Sequence, residues 1–116
     1  MHNFKELRVW QKSIDLTVEI YTALSDFPQE EKFGLISQMK RAAVSIPSNV
    51  AEGAGRNSNK EFKHFLSISL GSLFELETQL IISNRLNLIN TELTQELNDK
   101  ISELQRMIFG LEKTIS

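Results

Sequence analysis

The sequence predicts an all-α protein, an antiparallel up-down-up-down four-helix bundle, and three observations carry that prediction. Helix breakers are scarce, with two prolines and five glycines in 116 residues, and they fall where they divide the chain into four segments of about 20 residues. Apolar residues within those segments recur at spacings of three and four, the period of an α-helix. The connections left over are short, roughly two to eight residues, and connections of that length join antiparallel neighbours in bundles. The length suits one domain, residues 1–116, closing around a single core.

Helix 1 is expected over about residues 4–24. Asn3 can cap it, with Glu6 three residues on reaching back as in a capping box. Ser25-Asp26-Phe27-Pro28 ends it. Its apolar residues Leu7, Val9, Trp10, Ile14, Leu16, Val18, Ile20, Tyr21 and Leu24 spread over roughly 200° of the helical wheel, wider than a bundle helix needs.

Glu30 and Glu31 suit the electropositive first turn of helix 2, expected at about 33–53. Its inward side combines Ala42, Ala43 and Ala51 with Leu35, Met39, Ile46 and Val50. The opposite side aligns a polar stripe, Gln38, Arg41, Ser45, Ser48, Asn49 and Glu52, continuing into Arg56. That stripe reads as a solvated face, as a polar network between subunits, or as the lining of a channel through an assembly. Pro47 lies inside helix 2 and cannot donate to the carbonyl of Ala43, so a kink is expected there. The kink would wrap the helix around the core, or the freed carbonyl would accept a bond from a partner.

Gly53-Ala54-Gly55-Arg56-Asn57-Ser58 is a loop with a glycine stop, and Ser58 with Glu61 forms a second capping signature that opens helix 3, expected at 59–86. Helix 3 carries a core stripe (Phe62, Phe65, Leu66, Leu73, Leu76, Leu80), a second stripe (Leu70, Phe74, Ile81) and a third (Ile68, Ile82, Leu86). Asn87-Leu88-Ile89-Asn90 turns the chain, and Asn90 or Thr91 caps helix 4, expected at 92–113. Helix 4 has one narrow apolar seam, Leu93, Leu97, Ile101, Leu104, Ile108, Leu111 and Ile115, and should face solvent elsewhere.

The chemistry-bearing residues exclude more than they nominate. Absent cysteine rules out disulfides, thiolate catalysis and Cys-ligated zinc. The N-terminus lacks the apolar region of a signal peptide and no run approaches the roughly 18 apolar residues of a membrane span, so a soluble cytoplasmic protein is expected. His2 is expected in a frayed tail and His64 stands alone on helix 3. Glu61-Phe62-Lys63-His64 supplies a single Glu-x-x-His pair where a di-iron bundle needs two. Gly53-Ala54-Gly55-Arg56 lacks the Gly-Lys-Ser/Thr ending of a phosphate loop, and no serine has a His-Asp pair that spacing nominates. No catalytic residue, metal ligand, cofactor or small-molecule substrate is therefore expected, and a hydrolase or metalloenzyme ranks last among the readings.

Surplus apolar surface points instead to self-association. Left in water, the extra stripes would form a larger apolar patch than soluble monomers usually carry. Six such residues per subunit would contribute roughly 10 kcal/mol before association costs. The expected oligomer interface is Val9, Leu16, Ile20, Ile68, Leu70, Phe74, Ile81 and Ile82; the alternative is a splayed bundle that hides all three stripes internally. In an up-down bundle the start of helix 1, the end of helix 2, the start of helix 3 and the end of helix 4 share an end with a net charge of about +3, against −2 for the whole chain. Lys5, Arg8, Lys12, Arg56, Lys60 and Lys63 are its candidate nucleic-acid contacts, while the net negative charge argues against strong nonspecific binding.

Several segments carry a family resemblance: Phe4-x-x-Leu7-x-Val9-Trp10-Gln11-Lys12, Phe27-Pro28-x-Glu30, Phe33-Gly34-Leu35-x-x-Gln38, Lys60-Glu61-Phe62 and Gly71-Ser72-x-x-Glu75-Leu76-Glu77-Thr78-Gln79-Leu80. The most specific is Arg41-Ala42-Ala43-x-Ser45-Ile46-Pro47-Ser48-Asn49-Val50-Ala51-Glu52-Gly53. Together they resemble the four helix bundle proteins encoded in intervening sequences of bacterial 23S rRNA genes, sometimes labelled ribosomal protein-like and similar to the accessory variability determinants of diversity-generating retroelements. The match covers helices 1 to 3, and helix 4 matches by pattern alone. The resemblance implies an up-down bundle assembling as a homopentamer, with a nucleic-acid or reverse-transcriptase partner for the retroelement relatives.

Overall fold

The computed structural model describes residues 2–31 and 34–115. Its elements are α1 (Arg8–Leu24), α2 (Leu35–Ala54), α3 (Asn59–Arg85) and α4 (Thr91–Thr114), with 3-10 turns at Phe4–Glu6 and Gln29–Glu31 and no strand among the described residues. At about 1.5 Å per residue α3 spans roughly 40 Å, so the long axis of 43 Å is about one helix long. Cross-helix pairs descend along one helix as they ascend its neighbour: Ser69 and Ser83 of α3 reach Ile46 and Met39 of α2, and Lys12 and Glu19 of α1 reach Glu103 and Lys100 of α4.

The helix ends show which local signals prevail. Ser58 caps α3, its Oγ accepting from the Glu61 N–H at 3.1 Å and lying 3.2 Å from the Glu61 carboxylate. Asn90 caps α4, accepting from the Leu93 N–H at 2.7 Å. Asn3 caps too, but what it caps is the short turn Phe4–Glu6, and Glu6 closes that turn through its own N–H to the Asn3 carbonyl. Leu7 is extended (ψ 123°), so α1 starts at Arg8, later than predicted. The cause is packing: Phe4 and Leu7 fold back onto the core, and the Phe4 ring meets Trp10 edge-on at 5.1 Å. His2 is pinned rather than frayed, its N–H on the Ala54 carbonyl at 2.8 Å and its ring 5.0 Å from Phe62. Glu30 and Glu31 occupy a separate turn ahead of α2, and Phe33, the predicted start of helix 2, lies outside the described residues.

Between α3 and α4 the chain makes a complete C-cap. Asn87 is left-handed (φ 61°), its N–H bonds the Asn84 carbonyl and the Leu88 N–H bonds Ser83, which satisfies carbonyls the helix end would otherwise orphan. Glycine adopts that conformation without the side-chain penalty asparagine bears. Asn87→Gly is therefore expected to stabilise the protein by about 0.5 kcal/mol, read as a raised urea midpoint at unchanged m.

The core draws one stripe from each helix. Leu97, Ile101, Leu104 and Ile108 realise the predicted α4 seam, and Phe62, Leu66, Leu73, Leu76 and Leu80 realise the α3 stripe, with Phe65 half-exposed. The α1 contribution corrects the predicted interface. Val9, Leu16 and Ile20, at 4%, 1% and 0% exposure, lie inside the chain's own core and are withdrawn from any surface a second copy could touch. They fall on the same α1 stripe as Ser13 and Leu24, and the outer edge of the α1 arc is held by Ile14, Val18 and Tyr21.

α2 is continuous through Pro47. The Ala43 carbonyl that the proline leaves unbonded accepts from the Thr17 hydroxyl of α1 at 3.1 Å, so a donor within the chain fills the place considered for a partner. Around it, Ser69 Oγ donates to the Ile46 carbonyl at 2.8 Å and Asn49 Nδ2 donates to the Ser45 carbonyl at 2.8 Å. α3 comes closer to a membrane span than an unbroken-run criterion suggests, because its interruptions are mostly uncharged serine, threonine and glutamine, with Glu75 and Glu77 the charges in its most apolar stretch. By length and composition it is the one helix among the described residues that could cross a bilayer, a property it shares with core helices of its kind.

Candidate interaction surfaces

Two apolar surfaces remain open on the folded chain. Trp10, Ile14 and Thr17 of α1 and Val44, Pro47, Ser48 and Ala51 of α2 line a groove of about 330 Å³. Val18, one turn beyond Ile14, is 62% exposed, and Tyr21 lines a neighbouring pocket with Lys40, whose ammonium lies 4.9 Å from its ring centre. The second surface is the outer side of α3, where Ile68, Phe74, Ile81, Ile82 and Leu86 are all exposed. Four of the predicted interface residues thus stay on the surface, while Leu70 packs partly against the core. The exposed residues Ile14, Val18, Tyr21 and Val44 were missed because spacing gives angles around a helix but not which angle faces inward.

The polar stripe of α2 divides in two. Ser45 and Asn49 are half-buried and tied inward: Asn49 Nδ2 bonds Ser45 Oγ at 2.9 Å, and Ser72 of α3 bonds the same oxygen at 2.9 Å. Gln38 and Arg41 line a groove of about 530 Å³ between α2 and α3 together with Ser72 and Glu75. Glu52 pairs with Arg56 at 3.0 Å at the helix end.

At the end where the N-terminus, α2 and α3 meet, part of the basic charge is engaged by carboxylates. Bonds from His2 to Ala54 and the capping of α3 at Ser58 bring the N-terminus, the end of α2 and the start of α3 together. Arg56 is held by Glu52, lies 3.9 Å from Glu61 and stacks 4.7 Å from the Phe65 ring centre. Lys12 pairs with Glu103 at 2.7 Å. Lys5, Arg8, Lys60 and Lys63 make no ion pair with any other described residue.

Along the α1–α4 seam, Lys12, Asp15, Glu19, Lys100 and Glu103 form a charged cleft, with Lys100 on Glu19 as the second ion pair. The hydrogen bond from Lys12, then its charge, holds the Glu103 carboxyl below its usual range, with smaller help from Arg106 and Arg8 against a desolvation that raises it. A carboxyl whose pKa is lowered on folding adds stability above its unfolded pKa and loses it as pH falls through the folded value. Glu103→Gln should therefore flatten the acid limb of stability against pH below roughly pH 5, checked by urea midpoints from neutral pH downward. Among the described residues no group of three or more His, Asp or Glu side chains could hold a metal ion.

The comparisons with known proteins agree with this architecture. No curated protein matches the chain. A crystal structure of a protein of unknown function from the S23 ribosomal protein family of Bacteroides thetaiotaomicron VPI-5482 is similar with a TM-score of 0.82 and 26% identity, covering 90% of this chain and 98% of that one. The family model for the 23S rRNA-intervening sequence protein matches residues 5–110. With that match spanning all four helices, the chain belongs to the 23S rRNA-intervening sequence protein family.

Proposed function

We propose that the chain is a noncatalytic, homo-oligomeric helical scaffold. The observation that carries this reading is the set of large apolar side chains left exposed on α1, α2 and α3 after the core is complete. Exposed residues grouped along helix faces mark interaction sites more often than scattered ones do. The number of copies comes from the family resemblance, which implies five. Light scattering on the purified protein should give a mass about five times the 13.3 kDa of one chain. A stable mass of one chain at micromolar concentration would overturn the reading.

A second reading, a nucleic-acid-binding accessory protein, is favoured by Lys5, Arg8, Lys60 and Lys63, which have no ion-pair partner among the described residues. The S23 ribosomal protein label of the solved relative and the rRNA in the family's description supply the class of partner. In a ring, those four cations would repeat from copy to copy. Binding to 23S rRNA fragments should weaken steeply with salt, and a Lys5→Glu, Lys60→Glu double variant should bind more weakly with a shallower salt slope. Equal retention of wild type and variant in dilute buffer would refute it.

A further inference from the structure

Arg56 sits in surroundings that suit its guanidinium to something other than a phosphate. The guanidinium carbon lies 4.7 Å from the centre of the Phe65 ring. One terminal nitrogen bonds Glu52 at 3.0 Å and the other lies 3.9 Å from Glu61, so the edge by which arginine forks onto a phosphate is turned to carboxylates. The ring covers one face and the carboxylates hold the edge, while 41% of the side chain stays exposed, so the outer face of the guanidinium is the part left open. Phe65 is held in turn against the last turn of α2, where a Cβ on Gly53 would fall 2.7 Å from its own. His64 is exposed and meets the Phe65 ring edge-on at 5.4 Å, and Lys60 lies one turn before it on the same face of α3.

We propose that Arg56, propped on Phe65, is a stacking shelf for an unpaired nucleobase, and that the partner it takes is single-stranded RNA and not a duplex. This rests on the nucleic-acid reading and adds which form is bound and through which residue. Unpaired bases stack on guanidinium planes as they do on aromatic rings, whereas the base faces of a duplex are already covered by their neighbours in the helix.

Charge supports it first. Glu52 and Glu61 would repel a phosphate brought to the edge of Arg56, and a neutral base laid on its face avoids that repulsion. Order supports it second. An arginine free in solvent gives up rotamer freedom when it stacks, but here two carboxylates and a ring fix the plane beforehand, so less is lost on binding. Division of labour supports it third. Lys60 has no ion-pair partner among the described residues and can draw in the adjoining phosphates, which give affinity without distinguishing one base or one strand form from another. The shelf supplies that distinction.

The test titrates the full chain with a short single-stranded oligoadenylate RNA in which one base is a fluorescent adenine analogue, quenched when it stacks, and with an RNA duplex of the same length at the same salt. Wild type should bind the single strand more tightly than the duplex and quench the analogue. Arg56→Lys keeps the charge and removes the plane. It should weaken single-strand binding by about tenfold, the worth of one stacked base, and abolish the quenching. Duplex affinity and the dependence of single-strand affinity on salt should stay as in wild type, because the number of cations is unchanged. Circular dichroism confirms that this exposed substitution leaves the helices intact. If Arg56→Lys binds and quenches as wild type does, if it weakens strand and duplex equally, or if wild type takes the duplex as tightly as the strand, the shelf is overturned and the nucleic-acid reading survives. If wild type retains neither RNA in dilute buffer, both fall.

Discussion

Gly53→Ala is expected to lower the unfolding free energy by about 2 kcal/mol, although alanine is the better helix former by about 1 kcal/mol. A Cβ at position 53 of α2 would sit 2.7 Å from the Cβ of Phe65, 3.0 Å from Phe62 Cδ1 and 3.3 Å from the Phe62 carbonyl oxygen. The first of these atoms is bonded to the α3 backbone, so no rotamer change relieves it and the helices must part. Overpacking of a tight core costs about 1 to 3 kcal/mol. This contact belongs at the upper end, and subtracting the propensity gain leaves the net loss. Gly110 of α4 is the control, because a Cβ there meets nothing within 4 Å. Gly110→Ala should gain up to about 1 kcal/mol. Thermal unfolding at one fixed protein concentration checks both, with a fall of roughly 10 °C for Gly53→Ala. An unchanged or raised midpoint for Gly53→Ala would show that the helices can separate at little cost.

The contrast between those glycines marks where the sequence is legible. Gly53 stands in a stretch that reads as a helix stop, yet α2 runs through it to Ala54, and its real constraint is the approach of Phe62 and Phe65, residues nearby in space on the next helix. Signals that act within one turn were readable: Ser58 before Glu61, Asn90 before α4, and the single stripe of α4 from Leu97 to Ile108. Helices with broad apolar arcs were not. α1 carries apolar residues on most of its circumference, so their spacing leaves the inward direction undetermined, and only the partner helices settle that Leu16 and Ile20 face in while Ile14 and Val18 face out. On α3 the core stripe Phe62, Leu66, Leu73, Leu76 and Leu80 was readable, but Ser69, Ser72, Gln79 and Ser83 share its buried face, and apolar spacing does not nominate them. That the N-terminus, the end of α2 and the start of α3 meet follows from helix order and is seen in the His2 bond to Ala54. Which cations are engaged was not legible, because Glu52 and Glu103 reach Arg56 and Lys12 through side-chain geometry.

Thr17→Val should cost about 2 kcal/mol in the natural sequence and less than about 1 kcal/mol when Pro47 is also replaced by alanine. Thr17 has one hydroxyl proton and two carbonyls within reach, Ser13 at 2.7 Å and Ala43 at 3.1 Å. They are unequal in need. Within α1 the Ser13 carbonyl stands opposite the Thr17 backbone N–H, the ordinary helical donor four residues on. The donor four residues beyond Ala43 is Pro47, which has none. Ala43 is fully buried, so valine, which keeps the shape of threonine and removes the proton, strands a carbonyl away from water. A buried polar group without a partner costs roughly 1 to 3 kcal/mol. Pro47→Ala supplies an N–H in place of the lost hydroxyl, and the Ala43 carbonyl then depends on Thr17 far less. Urea unfolding of the wild type, both single variants and the double variant measures the coupling directly, expected at about 1 to 2 kcal/mol. A Thr17→Val loss of the same size in both backgrounds would mean that the α1 hydroxyl does not stand in for the bond the proline removes.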